Sequence, residues 1–323
     1  MASAVARARN AGRRRASRRA VAAAALAACV VGISALVAAR SMQHAPVPAY
    51  AVGGHCSEDC DIAADGHGDL FLPRLDDRTI RVIGPSGTAT RWVYQDALQS
   101  TAIRVPGTDA PVAAGANRAG DELCVAMKTM PHGTDDLEGN GRVLCYALRP
   151  RITAARTLTA GVMNPLDVAV DDRGVVYVVN GDDTITVYTA GRDSPAAVIR
   201  DGVDEPKGIV VDTDGTLYVA NWASSSVTVY PPRSASPSRT ITAGLSHPVG
   251  VALDGSGTLF VANAPGEIGT STEGNVTAYR RGESNPSLRF GSGTNETNTI
   301  AAGNGFLYVA GDSIEVFRGV AAP

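Results

Sequence analysis

Between Lys207 and Thr242 short apolar runs alternate with polar punctuation: "KGIVV" (207–211), "DTDG" (212–215), "TLYVAN" (216–221), "SVTVY" (226–230) and "SRTIT" (238–242). None of the runs places apolar residues at the three-to-four spacing of an amphipathic helix, and β-branched and aromatic residues dominate them. The pattern predicts four strands: a short inner one built of small apolar residues, two longer ones, and an outer one. Asp/Gly turns punctuate them.

The same phrase returns along the chain. Copies begin at Asp61 ("DIAADGHGDLFLP"), Pro111 ("PVAAGANRAGDELCVAM"), Pro165 ("PLDVAVDDRGVVYVVN"), Pro206 ("PKGIVVDTDGTLYVAN"), Pro248 ("PVGVALDGSGTLFVAN") and Asn298 ("NTIAAGNGFLYVAG"). Aligned on Leu70, Leu123, Val176, Leu217, Leu259 and Leu307, they lie 53, 53, 41, 42 and 48 residues apart. A period of 40 to 50 residues with four strands per repeat is that of propeller blades, so the fold class predicted is all-β: a six-bladed β-propeller of four-stranded antiparallel blades. The sixth repeat ends after "SIEVF" (313–317) without an outer strand, and "PVPAYAV" (46–52) is the expected donor that closes the ring. Long insertions, "TMPHGTDDLEGNG" (129–141) and "APGEIGTSTEGN" (264–275), interrupt blades two and five.

Written out, the repeat is P-x-G-x-x-x-D-x-x-G-x-L-Y-V-A-N, followed by V-x-V-Y and an R-T-I strand. It resembles the NHL and YVTN-type extracytoplasmic propeller repeats. The resemblance is carried by Pro206, Gly208, Asp212, Gly215, Leu217, Tyr218, Val219, Ala220 and Asn221, and again by Pro248, Gly250, Gly257, Phe260, Val261 and Asn263. The third repeat departs from it with Asp167 where the others carry Gly208 and Gly250. The resemblance covers about residues 55–318 and implies the fold. Members of the family range from binding scaffolds to enzymes, so it implies no single activity.

The first 40 residues stand apart. They hold eight arginines and no acid, and then turn into the apolar run Ala20–Ala39. As a helix this run would span roughly 30 Å, the thickness of a bilayer's hydrocarbon core. Seven arginines precede it and Arg40 follows, which orients the rest of the chain outward. An uncleaved anchor, a cleaved signal peptide ending near "VAA" (37–39) or "AYA" (49–51), and a lipobox-like "LAAC" ending at Cys29 all remain open, and each exports residues 41–323. The domain plan is thus a basic N-terminus with an apolar helical segment (1–40), a linker with a ring-closing strand (41–54) and the propeller (55–323).

Without its first 40 residues the chain carries 21 basic against 32 acidic residues, a balance that repels phosphate backbones and excludes nucleic acid as a partner. Four cysteines remain, Cys56, Cys60, Cys124 and Cys145, which suits an oxidising compartment. Three pairings are open. Cys56 with Cys60 and Cys124 with Cys145 are expected, since "ELCVAM" and "RVLCYAL" read as neighbouring antiparallel strands.

Chemistry in such a ring belongs at the channel mouth, where inner strands start and second strands end. The candidates there are Asn164, Asp167, Glu205, Lys207, Trp222, His247 and Asn298. The strand-end Asn180, Asn221 and Asn263 are expected to cap the turns that follow them, and Asp171, Asp172, Asp212, Asp214 and Asp254 to sit in turns on the opposite face. No G-x-S-x-G elbow, P-loop or H-E-x-x-H is present. The expectation is therefore a binding module at the cell surface for a peptide, glycan or protein, with no cofactor and with the membrane met only through the N-terminal segment. The alternative is a metal-dependent propeller enzyme. In it, Asn164 and Glu205 would hold Ca or Mg as in lactonases, or Glu205 and His247 would form a streptogramin-lyase-like acid/base pair.

Overall fold

The computed structural model describes residues 50–52, 61–74, 79–83, 102–104, 110–128, 141–149, 152–264, 274–292, 294 and 297–320. The chain divides into two compact units, Met1–Ala45 and Pro46–Pro323, and every described residue belongs to the second. The apolar helix expected over residues 20–39, both cysteines Cys56 and Cys60, and the two long insertions apart from their edges lie outside the described residues. Among the described residues no helix is long and apolar enough to cross a membrane.

The described residues form 24 strands in six four-stranded antiparallel sheets. Strand β1 is Tyr50–Val52. Blade one holds β2 (Ala63–Ala64), β3 (Leu70–Arg74), β4 (Thr79–Ile83) and β5 (Ala102–Arg104), and blade two β6 (Ala110–Ala116), β7 (Glu122–Lys128), β8 (Arg142–Ala147) and β9 (Thr153–Leu158). Blade three holds β10 (Pro165–Val170), β11 (Val176–Asn180), β12 (Thr184–Tyr188) and β13 (Ala197–Ile199), and blade four β14 (Pro206–Val211), β15 (Leu217–Asn221), β16 (Ser226–Tyr230) and β17 (Arg239–Ile241). Blade five holds β18 (Pro248–Leu253), β19 (Leu259–Asn263), β20 (Asn275–Tyr279) and β21 (Leu288–Gly291). Blade six has β22 (Thr299–Gly303), β23 (Phe306–Ala310) and β24 (Ile314–Arg318).

Blade six takes its outer strand from the other end of the chain. Tyr50, Ala51 and Val52 pair with Val316, Glu315 and Ile314, so β1 covers the edge of β24 as the missing fourth strand predicts. Closure is equally visible in the core. Side chains alternate along each strand, and both faces of a blade are buried against neighbours, which explains why the runs are nearly continuous in apolar residues. Phe71 packs with Leu123, Val125 and Met127 of blade two, whereas Leu70 and Leu72 pack with Tyr308 and Ala310 of blade six. Tyr177 and Val179 meet Ile209 and Val219, Val227 and Val229 meet Val251 and Val261, and Phe290 meets Leu307 and Phe317. Each fully buried side chain of this size contributes about 1.5–3 kcal/mol of burial.

Cys124 and Cys145 sit directly opposite each other on β7 and β8 and form the disulfide expected from the sequence. Both are fully buried between blades two and three.

Candidate functional site

Pro165, Pro206 and Pro248 open their inner strands opposite Asn180, Asn221 and Asn263, so these strand ends share one face around the channel mouth. The residue before each proline has a left-handed backbone: φ is 44° at Asn164, 44° at Glu205 and 45° at His247. For Glu and His this conformation costs roughly 1–3 kcal/mol and needs outside support. Backbone brackets supply it. The N–H of Glu205 donates to Asp183 Oδ1 (3.1 Å) and that of His247 to Ser225 Oγ (3.1 Å), both in the preceding blade. Their carbonyls accept from Trp222 N–H (3.0 Å) and Ala264 N–H (3.1 Å), and Asn164 accepts likewise from Gly181 (3.1 Å).

The strand-end asparagines do a different job from the one expected. They are fully buried, and their Oδ1 atoms accept the N–H of Met163, Asp204 and Ser246, which lie 17 residues earlier in the loop entering the blade. Their Nδ2 atoms donate to the hydroxyls of Thr186, Thr228 and Thr277 on the third strand. Those hydroxyls donate in turn to the carbonyls of Gly161, Gly202 and Gly244. One carboxamide can accept and donate at once, so it ties the incoming crossover to the sheet rather than only capping the turn that follows. The acids of the opposite face behave as expected. Asp171, Asp212 and Asp254 accept backbone N–H groups of their own turns, at Arg173 and Val175, Thr213, and Ser256 and Thr258 respectively.

Of the sequence candidates, the structure brings Trp222 and His247 together. Their rings lie 4.7 Å apart at 46°, and Trp222 is 36% exposed. Exposed Glu205 and Lys207 flank the Trp222 loop from the start of the same blade, and exposed Asp182, Asp183 and Asp204 lie on the loops beside it. Asn164 keeps a buried Oδ1 without a hydrogen-bond partner. Asn298 lies at the start of blade six, where its N–H donates to Ala310 O (2.9 Å). His247 Nδ1 lies 3.5 Å from the Ser246 hydroxyl, and its ring packs on Trp222.

Asp167 is placed differently from the others. It is 4% exposed and lies inside the channel, not on its rim. It occupies the ring level of Gly208 and Gly250, where the inner strands crowd most closely: a Cβ on Gly208 would come within 2.8 Å of the Gly250 Cα. Inner strands turn unpaired edge N–H groups toward the axis, and the Asp167 carboxylate takes two of them, Val168 (2.6 Å) and Ile209 of blade four (2.7 Å). Asp61 of blade one lines the same channel. Its carboxyl accepts Ile62 N–H (2.8 Å) and the Thr299 hydroxyl. Burial pushes Asp61 up to about 6, with the hydrogen bonds opposing it. Burial, reinforced by the Asp61 charge, holds Asp167 well above the usual carboxylate range. Asp61 was missed as a candidate, although "DIAAD" (61–65) and "DVAVD" (167–171) share the pattern of two aspartates flanking three small or apolar residues.

The channel encloses about 90 Å³ and is bolted at the turn side by Arg118, whose guanidinium reaches the carbonyls of Leu253 (3.2 Å) and Asp254 in blade five, on the opposite side of the ring. Among the described residues the one group of three His, Cys, Asp or Glu with converging ligand atoms is Glu122, Cys124 and Cys145, and its sulfurs are bound to each other. A hard divalent cation takes six to eight oxygens.

No family model and no curated protein matches the chain. Among solved structures, one described as a mitotic checkpoint complex is similar with a TM-score of 0.59 and 11% identity, over 84% of this chain and 92% of its own. One of hydrazine synthase from Kuenenia stuttgartiensis gives a TM-score of 0.49 and 20% identity, over 62% of this chain and 55% of its own. With 1445 solved chains matching, likeness at the identity of the first shows a shared propeller fold, and function has to be argued from the site.

Proposed function

We propose that the chain is an extracytoplasmic interaction module, with repeats of NHL and YVTN type, that holds a polypeptide partner on the channel-mouth face of blades three to five. The observation that carries this is Trp222. A large aromatic stands exposed at a strand end, backed by the His247 ring at 4.7 Å, on a loop whose backbone is fixed by the Glu205 bracket. A rigid aromatic anchor of this kind dominates binding energy at protein interfaces. Exposed Asp182, Asp183, Asp204 and Glu205, set against Lys207 and Arg200, favour a basic partner segment. The solved propeller with the higher TM-score is itself part of a complex, in keeping with a protein-binding role. The arginine-rich start, the apolar run after it and the buried Cys124–Cys145 disulfide support an oxidising location outside the cytoplasm.

Two measurements test this. Protease added to intact cells should cleave the propeller; protection until the cells are opened would argue against export. Partners cross-linked to the full chain on the cell should be lost with Trp222→Ala and kept with Val198→Ala, which removes another exposed apolar side chain, from the outer strand of blade three. Capture unaffected by Trp222→Ala, or directed at a glycan instead of a polypeptide, would overturn the assignment.

A further inference from the structure

Blade four sets an acid beside its exposed indole. The Trp222 N–H donates to the Glu205 carbonyl (3.0 Å), as the Gly181 N–H does to the Asn164 carbonyl (3.1 Å) in blade three. Glu205 and Asn164 also share a φ of 44°. The two pairs therefore occupy the same place in the repeat, and blade three shows how close that place brings side chains. A Cβ on Gly181 would come within 2.7 Å of the Asn164 Nδ2 and 3.3 Å of its Cβ. In blade four both positions bear side chains, so Trp222 and Glu205 leave the backbone side by side. His247 covers one side of the indole at 4.7 Å, and Trp222 stays exposed. Two further acids are tied to the same loop. Asp183 Oδ1 accepts the Glu205 N–H (3.1 Å), and the Asp204 N–H donates to Asn221, the residue before Trp222 (3.1 Å).

We propose that the Trp222 loop reads an arginine side chain of the partner, its guanidinium stacked on the free side of the indole and hydrogen-bonded to the Glu205 carboxylate. This rests on the polypeptide-binding reading above and names the residue that the partner presents. The negative face of an aromatic ring attracts a cation, and Trp does so most strongly. A carboxylate beside the ring adds charge-assisted hydrogen bonds. Arginine satisfies both at once, because its planar guanidinium stacks on a ring and still offers N–H donors at its edge. The ammonium of lysine is a compact, strongly hydrated point charge that does not stack. Exposed Asp183 and Asp204 add attraction at longer range, opposed in part by exposed Lys207 and Arg200. The neighbouring blades lack the combination: the corresponding pairs are Gly181 with Asn164 in blade three and Ala264 with His247 in blade five.

The test uses the full chain kept in mild detergent. It has two tryptophans, so Trp92→Phe leaves Trp222 as its only indole, and fluorescence then reports this site. The probes are the peptide acetyl-Gly-Arg-Gly-Arg-Gly-amide and its versions with both arginines replaced by lysine or by citrulline, which keeps the planar shape without the charge. The arginine peptide should quench the indole saturably and bind about tenfold tighter than the citrulline peptide and about threefold tighter than the lysine peptide. Glu205→Gln should weaken the arginine peptide about tenfold and leave the citrulline peptide unaffected. If Trp92→Phe does not fold, anisotropy of the labelled peptides on the unaltered chain and on Trp222→Ala makes the same comparison. Absence of binding by the arginine peptide, equal affinity for it and either relative, or indifference to Glu205→Gln would overturn the proposal. Partner capture that depends on Trp222 would still stand in those cases, whereas capture indifferent to Trp222→Ala would sink the polypeptide-binding reading itself.

Discussion

The Asn221 carboxamide donates to the Thr228 hydroxyl at 2.6 Å while its oxygen receives the Asp204 N–H at 3.1 Å. Its amide also reaches Gly202 O at 3.0 Å, so one buried side chain holds the entry loop, the second strand and the third strand of blade four together. Asn221→Ala strands the Asp204 N–H. Each buried polar group left unpaired costs about 1–3 kcal/mol, and the melting temperature is expected to fall by several degrees. Asn221→Asp keeps the acceptor but loses the donor, so it should be destabilised as well. A melting curve unchanged in both variants would show that the network is ornamental.

Two buried tyrosines should respond oppositely to loss of their hydroxyls. Tyr230 donates to Asp201 O at 2.7 Å, as Tyr188 and Tyr279 do to Ala160 and Ala243, whereas the Tyr146 hydroxyl is buried without a partner. Tyr230→Phe is expected to cost about 1 kcal/mol, since it removes a satisfied bond and leaves a carbonyl behind. Tyr146→Phe removes a desolvated hydroxyl and keeps the ring, so chemical denaturation should find it neutral or more stable. Equal destabilisation of the two would contradict this accounting.

The disulfide closes a loop with a sequence separation of 21 residues between two directly paired strands. On chain-entropy grounds such a closure is worth about 3 kcal/mol. Replacing both cysteines by alanine fits the buried, apolar surroundings, so the loss should be chiefly that of the cross-link. The double variant is expected to melt several degrees lower, and reductant should bring the unaltered chain to nearly the same value. Survival of the original melting point in reductant would mean that packing between β7 and β8 suffices.

What the sequence made legible follows from periodicity. Blade four's strands were expected at 207–211, 216–221, 226–230 and 238–242, and the structure has Pro206–Val211, Leu217–Asn221, Ser226–Tyr230 and Arg239–Ile241. Local alternation and turn chemistry decide these boundaries, so one blade can be read alone. The strand donated by Tyr50–Val52 was also legible, because an uncovered edge in blade six demanded one. The role of Asn180, Asn221 and Asn263 was not, since their partners at Met163, Asp204 and Ser246 become neighbours only when a crossover folds back over the blade. Asp61 and Asp167 stand 106 residues apart, and only ring closure brings them to one level of the channel. Trp222 and His247 were singled out separately, on adjacent blades, and their contact likewise needed the ring.

Asp69 gives the last prediction. It is 3% exposed, its Oδ1 has no hydrogen-bond partner, and its own N–H is spent on Asp65 Oδ1 at 2.9 Å. Burial pushes its carboxyl from 3.8 up to about 6; the nearby Asp65 carboxylate adds to the rise, and His67 and Arg149 pull the other way. A folded state that holds this proton more tightly than the unfolded chain is favoured below pH 4 and loses that advantage as pH climbs through 6. At neutral pH the buried charge therefore opposes folding. Asp69→Asn removes the charge and keeps the shape. Its melting temperature should exceed that of the unaltered chain by several degrees at pH 7.5 and match it at pH 4. A gain of equal size at both pH values would assign the effect to packing, because only an ionisation can make it depend on pH.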